Sequence, residues 1–386
     1  MKKIAILAFV PLIFLAFSFG CVDSQAGNET KLEVTQGMGI VGSLSAEELY
    51  PGLDGFVSLT VRNNLGGETG RDVYVSLDNV APFKIYECGD LREPTQKRSD
   101  FDCSGDFGLD EDLTFRQHGV QRFLPGEEIE FYWRITAPSA DKISNIALKH
   151  PMYYDVEYNY WTNFHENVVF MSFDEKRRRA QSETEEVTLS GEAGMGAGEL
   201  RLSSQTKQPI SFQFAYKDDM TAQEPDYNFA LNYNLENQGN GYPLSDVVLV
   251  LSYPDEVEVR EGTTSTYGWY SLEGWNQLNP DDKNCRTGKL NDEGRAQTMN
   301  CIDWAKSVIG EDNDIWDEEN LIIKKIERDN FQEINTVYAP LVLSGDEMTE
   351  LKQTNTPLKI YTFNLHSTYR YFTEGKDYIM VYPIKG

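Results

Sequence analysis

The segment 99-SDFDCSGDFGLDED-112 places oxygen-bearing residues at the spacing of a calcium-binding loop. Asp100, Asp102 and Ser104 would give side-chain oxygens, Asp106 a backbone carbonyl, and Glu111 a bidentate carboxylate. Gly105 stands where such a loop turns sharply. Hard oxygen ligands suit Ca2+, and an extracellular loop of this kind binds with a dissociation constant of roughly 0.1–1 mM and serves to stiffen. The flanks point elsewhere: 86-YECGDLREPTQKRS-99 contains Pro94 and has no helical period, and 113-LTFRQHG-119 reads as a short strand. Cys103 lies inside the loop, so a bridge to Cys88 makes a solvated acidic loop, closed by a disulfide, the competing reading. The acidic run 311-EDNDIWDEEN-320 lacks the turn glycine and the spacing.

Other chemistry is sparse. The four histidines, His118, His150, His165 and His366, accompany no recognisable nucleophile or zinc-protease motif, and the chain is expected not to be an enzyme. Gly194, Gly196 and Gly198 do not follow a phosphate-loop spacing. The stretch 267-YGWYSLEGW-275 offers Trp269, Tyr270 and Trp275, which would either stack on sugars or partner proteins or pack beneath a loop insertion. Asn28-Glu29-Thr30 is a glycosylation sequon.

Such groups need an address and a scaffold. Two lysines, an apolar run from Ile4 to about Phe19 and small residues before Cys21 read as an export signal with a lipid-modified Cys21. An uncleaved anchor helix or simple secretion is the alternative; in every case the chain after residue 21 is expected outside the cytoplasm, and in the leading reading it is held to the outer face of the membrane. Of the 5 cysteines, Cys88 with Cys103 and Cys285 with Cys301 form short-range couples that read as disulfides. The absence of Cys-x2-Cys pairs argues against zinc. With 62 acidic and 35 basic residues and a net charge of -27, the surface repels polyanions, so nucleic acid is not an expected partner.

Alternating apolar residues in short runs such as 56-FVSLTVRNN-64, 127-EEIEFYWRITAP-138, 229-FALNYNLEN-237 and 246-DVVLVLSYP-254 predict an all-β fold. Only 303-DWAKSVIG-310 and 344-SGDEMTELKQ-353 read as helical. Two internal matches suggest duplication: 59-LTVRNNLGGETGRDVYVSLDNVAPFKI-85 with 232-NYNLENQGNGYPLSDVVLVLSYPDEVEV-259, and 158-YNYWTNFHENVVF-170 with 369-YRYFTEGKDYIMV-381. Both cysteine couples fall between the matched ends. The predicted organisation is a signal or lipoprotein anchor (1–21), a tether (22–32), a first β-sandwich (33–174), a charged and then glycine-rich linker (175–200), and a second β-sandwich (201–386), each sandwich with a stapled insertion.

The segments 53-LDGFVSLTVRNNLGGETGRDVYVSLD-78 and 124-LPGEEIEFYWRITAP-138 resemble the immunoglobulin-like repeats (CARDB/NEW3-like modules) of archaeal cell-surface and S-layer-associated proteins. They share a strand ending in Arg-Asn, a turn, and a later Pro-Gly before a strand ending in Ala-Pro. The second half keeps Glu236-Asn237 and Ala339-Pro340 without a clear Pro-Gly. The resemblance implies tandem immunoglobulin-like sandwiches in a structural or adhesive envelope protein, with other envelope proteins or glycans as partners. A lipoprotein that binds a glycan or peptide for an envelope complex is the alternative.

Overall fold

Seven strands build the first half: β1 (Ile40–Ala46), β2 (Asp54–Asn63), β3 (Gly70–Asp78), β4 (Lys84–Asp90), β5 (Phe115–Phe123), β6 (Glu128–Thr136) and β7 (Leu148–Ser172). Alternation fixes their faces. In β2 Val57, Leu59 and Val61 are buried while Asp54, Phe56 and Arg62 are exposed, and in β6 Ile129, Phe131, Trp133 and Ile135 point inward. The computed structural model describes residues 40–46, 48–64, 70–90, 115–124, 126–143, 147–172, 203–205, 210–214, 220–222, 227–237, 239, 241–260, 266–290, 296–331, 333–334, 336–344, 346–347 and 358–383. All of these lie in one unit, Gly37–Gly386.

The second half runs through β8 (Ser203–Gln205), β9 (Ile210–Phe214), β10 (Met220–Ala222), β11 (Tyr227–Asn237), β12 (Tyr242–Pro243), β13 (Val247–Ser252) and β14 (Val257–Val259). It continues with β15 (Tyr270–Ser271), helices α1 (Leu272–Asn276) and α2 (Pro280–Lys283), the hairpin β16 (Asn284–Leu290) and β17 (Ala296–Asn300), and helix α3 (Cys301–Ile309). It closes with β18 (Leu321–Ile326), β19 (Thr336–Leu343) and β20 (Leu358–Val381).

The two halves repeat one plan. The sheet β1-β2-β6-β4 has its counterpart in β9-β11-β19-β14, and β5-β3-β7 has its counterpart in β18-β13-β20. The pairing of β2 with β6 in one sheet and of β3 with β7 in the other is that of an immunoglobulin sandwich. Beside β7, where a closing strand of its own half would stand, runs β20, paired antiparallel with it from Leu358↔Met171 to Val381↔Leu148.

The tandem sandwiches are therefore joined and not strung as separate bodies. Both draw one face from a single ten-stranded sheet. β7 meets β3 through residues such as Ser76↔Asp155 and meets β8 and β10 further along, while β20 meets β13 near Leu365 and returns to the first half, where Val381 bridges Leu49. The main core runs along this ribbon: Met152, Tyr154, Val156, Tyr158, Tyr160, Phe164, Val168 and Phe170 of β7 alternate inward with Tyr361, Phe363, Leu365, Tyr369, Tyr371, Ile379 and Val381 of β20. The proposed linker, 175–200, lies outside the described residues, as do the anchor and tether.

The matched tyrosines of the sequence are cross-strand neighbours. Tyr158 pairs with Tyr371 and Tyr160 with Tyr369, so the internal two-fold passes through the pair between them, Asn159↔Arg370. Arg370 is buried there. Its guanidinium donates to Glu157 at 2.5 and 3.1 Å, and it lies 4.8 Å from the Tyr74 ring of β3. Gly375 is required nearby, because a Cβ would sit 2.1 Å from the Tyr154 ring, whose hydroxyl donates to the Gly42 carbonyl at 2.6 Å.

The insertion between β14 and β18 covers the far side of the shared sheet with a second core. Ile302, Trp304, Ala305 and Val308 of α3 pack with Trp275, Cys285, Cys301, Val248, Val250 and Ile323. Asn300 caps α3 by accepting from the Ile302 amide at 3.0 Å. The matching interval of the first half falls between β4 and β5.

Candidate functional site

A cleft of about 340 Å3 opens at the base of the stapled insertion. β16 sets its position. The Cys285–Cys301 disulfide fastens the hairpin to α3, and Asn284 and Arg286, on either side of Cys285, face the cleft. Thr298 of β17 lines the hairpin side, Lys325 and Glu327 come from β18 and its exit, and Asp281 and Asp329 stand on the short helical turns nearby.

The anchor of this arrangement is Asp246, which precedes β13 and has a side chain only 4% exposed. Its carboxylate accepts from the Arg286 amide at 2.9 Å, the Arg286 Nε at 3.0 Å and the Arg328 amide at 2.9 Å, while its own amide donates to the Arg286 carbonyl at 3.0 Å. A buried carboxylate satisfied by this many donors is a structural clamp. Arg286 reaches on to Asp329 at 2.8 Å. Burial opposes the Arg286 cation, but the hydrogen bonds and charges of Asp329 and Asp246 outweigh it and raise its pKa; the same contact holds the Asp329 carboxyl below its ordinary value. Lys325 Nζ donates to the Asn284 carbonyl at 3.1 Å. The cleft thus presents donors and acceptors in alternation on a fixed frame.

The aromatic ligand site expected at 267–275 is corrected. Trp269 is fully buried in the main core and donates its Nε1 hydrogen to the Tyr338 carbonyl at 2.7 Å; Trp275 is buried in the second core, with Tyr270 edge-on at 5.7 Å. The reason is the strand pairing of Tyr270 and Ser271 with β18, which sends the flanking indoles to different cores. Packing is the role these three residues have here.

Cys285 and Cys301 form the expected disulfide. Cys88 lies on β4, whereas Cys103 and the whole candidate calcium set, Asp100, Asp102, Ser104, Asp106 and Glu111, lie outside the described residues, as do Cys21 and Asn28. Among the described residues, no group of three or more His, Cys, Asp or Glu side chains is arranged to hold a metal ion. Sequence reading missed the cleft. Its one legible member was Asp246, which the internal match sets beside Asp72 of β3.

No protein-family model and no curated protein matches the chain. Among solved structures it is similar to the C-terminal domain of the AgI/II polypeptide BspA of Streptococcus agalactiae, at 6% identity over 89% of this chain and 97% of that one, with a TM-score of 0.16. The collagen adhesin of S. aureus gives 9% identity, 89% and 92% coverage, and a TM-score of 0.11. The collagen-binding domain of the Erysipelothrix rhusiopathiae surface protein RspB gives 7% identity, 89% coverage of both chains, and a TM-score of 0.11. Scores of this size carry no argument; the all-β, double-sandwich fold stands on the strand order and register.

Proposed function

We propose that the chain is a non-enzymatic structural or adhesive component of a prokaryotic, archaeal-type cell envelope, held to the outer face of the membrane through Cys21. The observation that supports this reading is the ribbon of β7 and β20. Its 24 paired positions extend roughly 80 Å at about 3.3 Å per residue. Because both sandwiches share it, the described junction between them is continuous sheet, which suits a body that presents a surface at a fixed distance from its anchor. The tests are cell fractionation with Cys21→Ser and a deletion strain. Release of the variant from membranes, together with loss of envelope integrity or attachment on deletion, is expected. Normal envelopes and attachment without the protein would remove the reading.

A second reading, a ligand-binding envelope lipoprotein, is favoured by the cleft clamped by Asp246.

A further inference from the structure

We propose that the cleft between the β16–β17 hairpin and the end of β18 binds a neutral saccharide, one or two sugar rings of an envelope or surface glycan. This rests on the second reading above and names its ligand class.

Size and rigidity come first. A cleft of about 340 Å3 lies at the lower end of the ~300–1,000 Å3 range of small-molecule sites. Its polar groups stand on elements fixed from behind. The disulfide holds the hairpin, Asp246 grips Arg286 by both backbone and guanidinium, and Lys325 belongs to a strand paired with β13. Such groups pay little ordering entropy when a ligand arrives.

Charge then selects the class. Four carboxylates, Asp246, Asp281, Glu327 and Asp329, face two cations, Arg286 and Lys325, so the lining carries a formal charge of 2 − 4 = −2. A phosphate or uronate meets net repulsion there. A lone ammonium or guanidinium is drawn by that net charge but finds Asp246 and Asp329 already engaged by Arg286, so two of the four carboxylates are not open to it. A sugar hydroxyl is at once a donor and an acceptor, so it can give its proton to a carboxylate and take one from a neighbouring cation. Lys325 uses one of its three N–H groups on the Asn284 carbonyl, leaving two for a ligand. Glu327 takes the Asn330 side-chain amide on one oxygen only, at 3.3 Å. Lys325 and Glu327, a donor and an acceptor two residues apart on the cleft wall, suit vicinal hydroxyls. No aromatic side chain lines the cleft, so affinity is expected in the roughly millimolar range.

The test is saturation-transfer NMR and calorimetry on the chain from residue 22 onward, with a panel of neutral hexoses and their disaccharides and, in parallel, glucuronate, lysine and glycyl dipeptides. Lys325→Ala and Glu327→Gln are each expected to weaken saccharide binding about tenfold, the loss of one charge-assisted hydrogen bond, with an unchanged melting temperature. Two separate variants keep the test open should one fail to fold. Saccharide binding that is equal in wild type and both variants overturns the cleft as the site. Binding of the charged probes or dipeptides at the cleft, without saccharides, overturns the ligand class and leaves the ligand-binding reading standing. No binding by any probe overturns both.

Discussion

β3 and β13 occupy equivalent places in the two halves and treat the far side of the shared sheet in opposite ways. In β3, Val73, Val75 and Leu77 enter the main core, while Tyr74, Ser76 and Asp78 take the other face. In β13 every residue is buried: Val247, Leu249 and Leu251 join the main core, and Val248 and Val250 meet the insertion. A strand covered on one side alternates, and a strand covered on both reads as a continuous apolar run. The two halves thus share topology and an apolar inner face but differ on the outer one. The second half put a helical cover there; in the first half, described residues on that face include the carboxylates Asp78 and Asp155.

The largest test of this comparison addresses the seam that both halves share. Glu157→Ala leaves the buried Arg370 cation unpaired and should cost about 3–5 kcal/mol, whereas Glu157→Leu with Arg370→Met should recover most of that loss in urea titrations. Because the ribbon crosses both sandwiches, the loss should appear as one transition. Two separated transitions would show that the halves are energetically independent.

Removing the staple comes next. Cys285→Ser with Cys301→Ser opens a loop of sequence separation 16 and should lower stability by about 3 kcal/mol in the chain-entropy model, read by thermal unfolding. A smaller contrast probes the outer face itself. Val250→Ala, under the insertion, should cost about 2 kcal/mol, while the equivalent Ser76→Ala should cost under ~1 kcal/mol, since its hydroxyl makes only a 3.4 Å contact with Asp155. Equal costs would erase the difference between the halves.

The gentlest effect is on pH. Burial, then the hydrogen bond and charge of Asp78, push the Asp155 carboxyl up to about 8, with Glu157 and Glu374 adding to the shift; burial alone pushes Glu166, further along β7, to about 8. Folded values above the unfolded carboxyl range of roughly 4 mean that the native chain holds protons the unfolded chain releases. These two groups therefore favour the fold most at or below pH ~4, and that contribution is lost as pH rises through about 8. The urea midpoint should fall across this window, and Asp155→Asn with Glu166→Gln should flatten the slope.

Much of this architecture was legible. Alternation located β2, β6 and β11, the run at 246–254 located β13, and the helical period at 303–310 located α3. The full ribbon was not. Only the matched stretches 158–170 and 369–381 stood out, because Glu157, Asn159, Thr162, Glu166, Ser367 and Arg370 are polar yet buried, and their partners lie on the strand from the other half. The cleft was hidden for a related reason. Asp246, Arg286 and Lys325 come together only through the pairing of β13 with β18 and the folding back of the hairpin, so no local spacing announces them. The tryptophans of 267–275 left two readings open, an exposed ligand site or packing beneath the insertion, and local sequence could not choose between them because the partners that bury Trp269 and Trp275 come from distant strands.

Arg370 opposite Asn159 also bears on why the two halves belong to one chain. Two identical chains meeting across a two-fold axis must set the residue on the axis against its own copy, and an arginine there would confront another arginine. An Arg–Asn pairing is open to a single polypeptide whose two halves differ in sequence, so the pair on the pseudo-axis is a contact that the covalently joined chain can make and a symmetric dimer of identical halves cannot.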